Sequence, residues 1–119
     1  MTFDHEKLDV YQAAVSLLGV ASRVIARLPR GHAYFKDQLG RASLSIVTNI
    51  AEGAGEFMPA EKARFYRMAC RSATECAAIF DACRALRLAD PALVEEARSL
   101  LLRIVGMLTA LAKRHQQSA

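Results

Sequence analysis

Apolar residues recur every three or four positions along nearly the whole chain, the spacing of helices that each bury one face. The pattern predicts a first helix from about Leu8 to Leu28, carrying two apolar rows: Leu8, Tyr11, Val15, Leu18 and Ile25, and Val10, Leu17, Val24 and Leu28. Gln12, Ser16, Arg23 and Arg27 leave it only a narrow polar side, so this helix is expected to meet more than one neighbour, either as a central element or at a subunit contact. Pro29-Arg30-Gly31 breaks the pattern, and a second helix is predicted from about Tyr34 to Ala54 with the apolar row Phe35, Leu39, Ala42, Ile46, Ile50 and Gly53. Gly53-Ala54-Gly55 reads as its C-terminal stop. Pro59 suits the first turn of a third helix running to about Leu88, with the core row Phe65, Met68, Cys76, Ile79, Cys83 and Leu86 and with Ser72 inside it. Asp90-Pro91 supplies an N-cap and a first-turn proline for a fourth helix to about Arg114, whose apolar face is Leu93, Ala97, Leu100, Leu101, Ile104, Leu108 and Leu111. The polar tail, 115–119, needs no fold. Long helices joined by short Pro/Gly-containing connections predict an all-α, up-down-up-down antiparallel four-helix bundle, one domain spanning 1–119.

One stripe of the second helix is not an ordinary solvent face. Arg41, Ser45, Asn49 and Glu52 fall at i, i+4, i+8 and i+11, so they align along one side of the helix. An arginine, a hydroxyl, a carboxamide and a carboxylate can hydrogen-bond to one another, and Ser72 and Glu75 of the third helix are expected to face them. The six residues form a polar seam, either structural or a subunit interface. In the structural reading Arg41 and Arg71 neutralise Glu52 and Glu75. In the interface reading Asn49→Ala weakens assembly.

Composition changes this picture little. The chain has 119 residues, 53% of them hydrophobic, enough to bury a core without a metal or disulfide staple. Three cysteines, Cys70, Cys76 and Cys83, show no C-x-x-C spacing and are expected to be free thiols, Cys76 and Cys83 as core fillers. Acidic residues stand where a secretory signal carries basic ones, and no apolar run reaches the roughly 18 residues of a membrane span, so a cytoplasmic location without membrane contact is expected.

The net charge of +4 suits an anionic partner. Arg64, Arg67 and Arg71, at i, i+3 and i+7, make a basic row able to contact the phosphates of RNA or DNA, with Tyr66 the nearby aromatic for base stacking. Catalytic chemistry is thin. No Glu-x-x-His pair exists for a di-iron centre, no phosphate-binding glycine loop is present, and the polar cluster lacks a histidine. Glu52 and Glu75 are the one candidate acid/base pair. No cofactor, metal or catalytic residue is assigned.

Leu8-Asp9-Val10-Tyr11-Gln12-Ala13-Ala14, Gln38-Leu39-x-Arg41-Ala42-x-x-Ser45-Ile46-x-x-Asn49-Ile50-Ala51-Glu52-Gly53, Arg64-Phe65 and Ser72-x-x-Glu75 together resemble the 23S rRNA-intervening-sequence proteins. That family is related in fold to the accessory variability proteins of diversity-generating retroelements. The chain departs from the family pattern at Val47, where a proline is usual, at Arg71, where a glycine is usual, and at Tyr11, where a tryptophan or similar aromatic is usual. Arg71 is expected to widen the seam or alter its partner. The resemblance implies a small bacterial four-helix bundle assembling into a ring-like homo-oligomer, a pentamer, with RNA or DNA association and no enzymatic activity. The alternative is a protein-binding scaffold or accessory subunit with no nucleic-acid role.

Overall fold

The computed structural model describes residues 1–118 and consists of a short 3-10 helix, Asp4–Lys7, followed by α1 (Asp9–Arg27), α2 (Ala33–Gly55), α3 (Pro59–Ala85) and α4 (Pro91–Ser118). Cross-helix contacts fix the topology. Arg41 meets Glu75, Ser45 meets Ser72 and Lys62 meets Ala54, so rising along α2 means descending along α3. Tyr66 faces His115 while Phe80 lines one recess with Val94 and Leu101, which makes α3 and α4 antiparallel. Arg23 pairs with Glu96 at one end, and Leu8 and Val10 line a groove with Met107 and Leu111 at the other, which does the same for α1 and α4. Each helix packs on its neighbours in sequence and α1 closes against α4, giving an up-down-up-down bundle.

The core is aliphatic and alanine-rich. Leu17, Leu39, Ile46, Ile50, Ile104 and Leu108 are fully buried, each contributing about 1.5–3 kcal/mol by leaving water. On α1 the buried row is Val10, Ala13, Ala14, Leu17, Val20, Ala21 and Val24. The row through Tyr11 and Leu18 is only half-buried, and Val15 is exposed. The extra apolar girth of α1 is therefore not consumed by a central position: it packs on α2 and α4 and on no third long helix.

On α3 the core row differs from the pattern-based one. Ala63, Tyr66, Ala69, Ala73, Cys76, Phe80 and Cys83 are buried, while Phe65, Met68 and Ile79 are half-buried and Leu86 is exposed. Small alanines let α3 approach its neighbours closely, and the bulkier residues flank that line. Tyr66, read as a base-stacking candidate, is 2% exposed.

Helix ends also depart from expectation. α3 stops at Ala85, not Leu88, because Arg87 takes a left-handed conformation with φ 57°. Leu88 N–H donates to Cys83 O at 2.8 Å and Arg87 N–H to Arg84 O at 3.0 Å, the two bonds of a Schellman cap. Without glycine at the left-handed position, the sequence hid this stop. Asp90 caps α4 as expected, accepting from the Ala92 N–H at 2.9 Å. The tail assigned no structure is helical through Ser118, and Ala119 lies outside the described residues.

α2 ends at Gly55, within the expected Gly53-Ala54-Gly55 stop, and Gly53 itself is buried in helical backbone. A Cβ there would stand 2.9 Å from Tyr66 Cε1 and 3.1 Å from Phe65 Cβ. The missing side chain is what admits α3. The exposed carbonyl end of α2 is covered instead by Lys62, whose Nζ donates to Ala54 O at 2.9 Å and Gly53 O at 3.3 Å.

Candidate functional site

α3 presents two different flanks, one toward α2 and one toward α4, and the candidate residues divide between them. Toward α2 lies the seam. Ser45 Oγ and Ser72 Oγ share a hydrogen bond at 2.9 Å, and Asn49 Nδ2 donates to Ser45 O at 2.9 Å and to Ser45 Oγ at 3.0 Å. Arg41 Nη2 donates to Glu75 Oε1 at 3.0 Å and also to Gln38. Arg41, Ser45, Asn49, Ser72 and Glu75 are thus brought together inside one chain.

Glu52 and Arg71 are not part of this network. Both are exposed and make no hydrogen bond or ion pair with the described residues, so Arg41–Glu75 is the only one of the expected neutralisations present. Glu75 lies opposite Arg41, eleven residues before Glu52 on α2, or about 16 Å at 1.5 Å per residue. Glu52 and Glu75 therefore do not form an acid/base pair. Cys76, beside Glu75, is buried, and that burial, reinforced by the neighbouring carboxylate, pushes its thiol up to about 12. Burial also raises Cys83, so both remain protonated core fillers.

The outer flank carries the arginines. Arg64, Arg67 and Arg71 line an open depression with Met68, Cys70 and Thr74. Arg64 is engaged: Nη2 stands 2.9 Å from Glu61 Oε2, and its guanidinium lies 4.6 Å from the centroid of Phe65. The hydrogen bond to Glu61 and that residue's charge hold Arg64 above its ordinary value. Arg67 and Arg71 have no carboxylate partner among the described residues, leaving two guanidinium charges directed to solvent.

Thr74 also borders a second feature, an apolar recess of about 150 Å³ between α3 and α4. Ala77, Phe80, Leu101, Leu102 and Val105 form its surface, with Arg98 and Asp81 alongside. The recess was not anticipated. Its one sequence signal is Leu100-Leu101-Leu102, a run too long for a single helix face, which leaves Leu102 63% exposed. At the end of the bundle, Phe57 and Met58 project from the α2–α3 turn, 94% and 63% exposed.

A sequence model of the 23S rRNA-intervening sequence proteins matches residues 6–110. The chain belongs to that family. No curated protein matches it. The match spans α1 to α3 and most of α4, and so includes both flanks of α3.

Two of the positions noted as departures now have a place in the fold. Arg71 does not widen the seam: its neighbour Ser72 bonds Ser45 at 2.9 Å, while Arg71 faces outward into the basic depression. Tyr11 packs half-buried against the ring of His5 at 4.5 Å, pinning the 3-10 helix onto α1. No group of three or more His, Cys, Asp or Glu side chains suited to a metal lies among the described residues, and no helix is long and apolar enough to cross a membrane.

Proposed function

We propose that this family member is a non-enzymatic, self-associating cytoplasmic protein that binds RNA or another nucleic acid through the outer flank of α3. The observation that carries the reading is the pair of guanidiniums, Arg67 and Arg71, that have no ion-pair partner among the described residues, beside Arg64 on one exposed face. The row spans seven residue steps, about 10 Å of helix, comparable to three phosphate-to-phosphate steps along one duplex strand. A net charge of +4 and the ribosomal-RNA context in the family's name favour the same partner. Assembly into a ring, five-membered by family resemblance, would repeat the row around a symmetric surface and multiply weak contacts.

Fluorescence anisotropy with a structured RNA, a duplex DNA and a neutral polymer, at low and physiological salt, tests this. Binding is expected to follow a multi-phosphate salt slope, reduced by about 1.4–1.8 in the Arg67→Ala, Arg71→Ala double variant. No binding to either nucleic acid at low salt overturns the reading. The apolar recess beside the arginines favours a second reading, a protein-binding scaffold, whose complexes would survive salt that strips RNA.

A further inference from the structure

Phe57 is the residue the bundle accounts for least. It stands 94% exposed beside Met58, on a three-residue turn that needs neither side chain for its own fold. Adjacent large apolar groups in water signal a contact surface. The recess between α3 and α4 is its complement in size and character: apolar, and about 150 Å³, the volume at which a dry cavity accommodates a benzene ring. Within one chain the two never meet. Ala77 lies eighteen residues into α3 from Pro59, about 27 Å along the helix from the turn.

The geometry points to a head-to-tail contact between copies of this chain, in which Phe57 of one copy seats its ring in the α3–α4 recess of the next, with Met58 against Leu102. This rests on the self-association proposed above and names the surfaces that perform it. Charge selects the same pairing. Glu56 opens the projecting turn and Glu52 lies one helical turn before it on α2, both near enough to Arg64 to act weakly on its charge but neither ion-paired among the described residues. Arg98 lines the recess with no carboxylate within ion-pair distance among those residues. Asp81, the like charge at the recess, sits on α3, so Glu56 meets its partner only by approaching from the α4 side. Projection and recess are different patches, so the contact is heterologous and propagates around a closed ring if the rotation closes. Phe57 and Met58 act as its buried anchors, with the surrounding surface completing the interface. Because Thr74 borders both the recess and the arginine depression, every such junction would place Arg67 and Arg71 beside the seated turn.

Sedimentation velocity over a concentration series decides it. Phe57→Ser and Leu102→Glu each alter an exposed residue, and thermal melts check that both variants fold. Each is expected to shift the association midpoint about thirtyfold or more toward monomer. Mixed in equal amounts they retain one intact projection and one intact recess, so a dimer should reappear that neither forms alone. If Leu102→Glu unfolds, Arg98→Glu replaces it, and Glu56→Arg with Arg98→Glu should recover the association that either single change weakens. A wild-type chain that stays monomeric overturns the contact together with the self-association, leaving RNA binding to its own test. A wild-type oligomer unchanged by Phe57→Ser overturns the contact alone.

Discussion

The two flanks of α3 contain similar side chains and differ in whether those side chains are finished. Toward α2, the seam closes on itself: Ser45 with Ser72, Asn49 with Ser45 and Arg41 with Glu75 leave no side-chain polar atom buried without a partner among the described residues. Toward α4 and solvent, Arg67 and Arg71 have no partner carboxylate among the described residues and an apolar recess stands open. A satisfied polar network specifies how two helices pack, whereas unspent charge beside uncovered apolar surface is available to a second molecule. The unusual composition of a stripe therefore marks structure on one flank, and the plainer arginine row marks the place to look for function.

The most forceful way to break the closed flank is Gly53→Val. Its Cβ would enter the space held by Tyr66 Cε1 at 2.9 Å and Phe65 Cβ at 3.1 Å, and the second of these cannot swing away. A loss of about 3 kcal/mol in chemical unfolding is expected. Gly55→Ala, with nothing within 4 Å of its Cβ, should instead gain about 0.5 kcal/mol. If both variants lose stability alike, Gly53 is serving its backbone and not the approach of α3.

Thiol reactivity sharpens the contrast without altering the fold. Cys70 lines the open depression, while Cys76 and Cys83 are buried and their thiols raised, Cys76 to about 12. A neutral disulfide reagent should modify one thiol per chain promptly and the other two about a hundredfold more slowly, at the rate of opening. Three equally fast thiols would contradict the packing of α3.

The helices and their antiparallel order were legible because the 3.6-residue period is written by Leu, Ile and Val on α2 and α4. α3 was legible only in outline. Its packing face is mostly alanine, which reads as apolar but marks no direction, so the bulky Phe65, Met68 and Ile79 drew the core row toward α2 and placed Tyr66 on the wrong side. Residue type and spacing grouped Ser45, Asn49, Ser72 and Glu75, yet could not separate Glu52 from them, since one further turn along α2 passes beyond the partner residues. Of the recess only the run Leu100-Leu101-Leu102 left a trace, because a void is set by the distance between helices and not by any one residue.

Within the seam, Asn49→Ala removes two hydrogen bonds from a residue that is nearly buried. A loss of about 1–2 kcal/mol is expected in unfolding experiments, with RNA affinity and assembly unchanged at temperatures where the variant is folded. Dissociation of an oligomer by Asn49→Ala without loss of stability would turn the seam into an intersubunit surface and reverse the assignment of the two flanks.

The smallest effect is a pH slope at the bundle end where α3 and α4 meet. His115 packs on Tyr66 with ring centroids 5.8 Å apart, and burial, with the charges of Arg114 and Lys62, lowers its proton affinity in the folded chain. The unfolded chain therefore takes up the proton first as pH falls through the ordinary histidine value of 6.5, and stability declines with decreasing pH below that point. His115→Gln should flatten this slope. Tyr66 works in the opposite direction: burial raises it above 10.0, so the unfolded chain ionises first and stability declines as pH rises past that value, a slope that Tyr66→Phe should remove. An acid slope that persists unchanged in His115→Gln would show that His115 does not carry it, and would move the pH-sensitive contact away from the Tyr66–His115 end of the bundle.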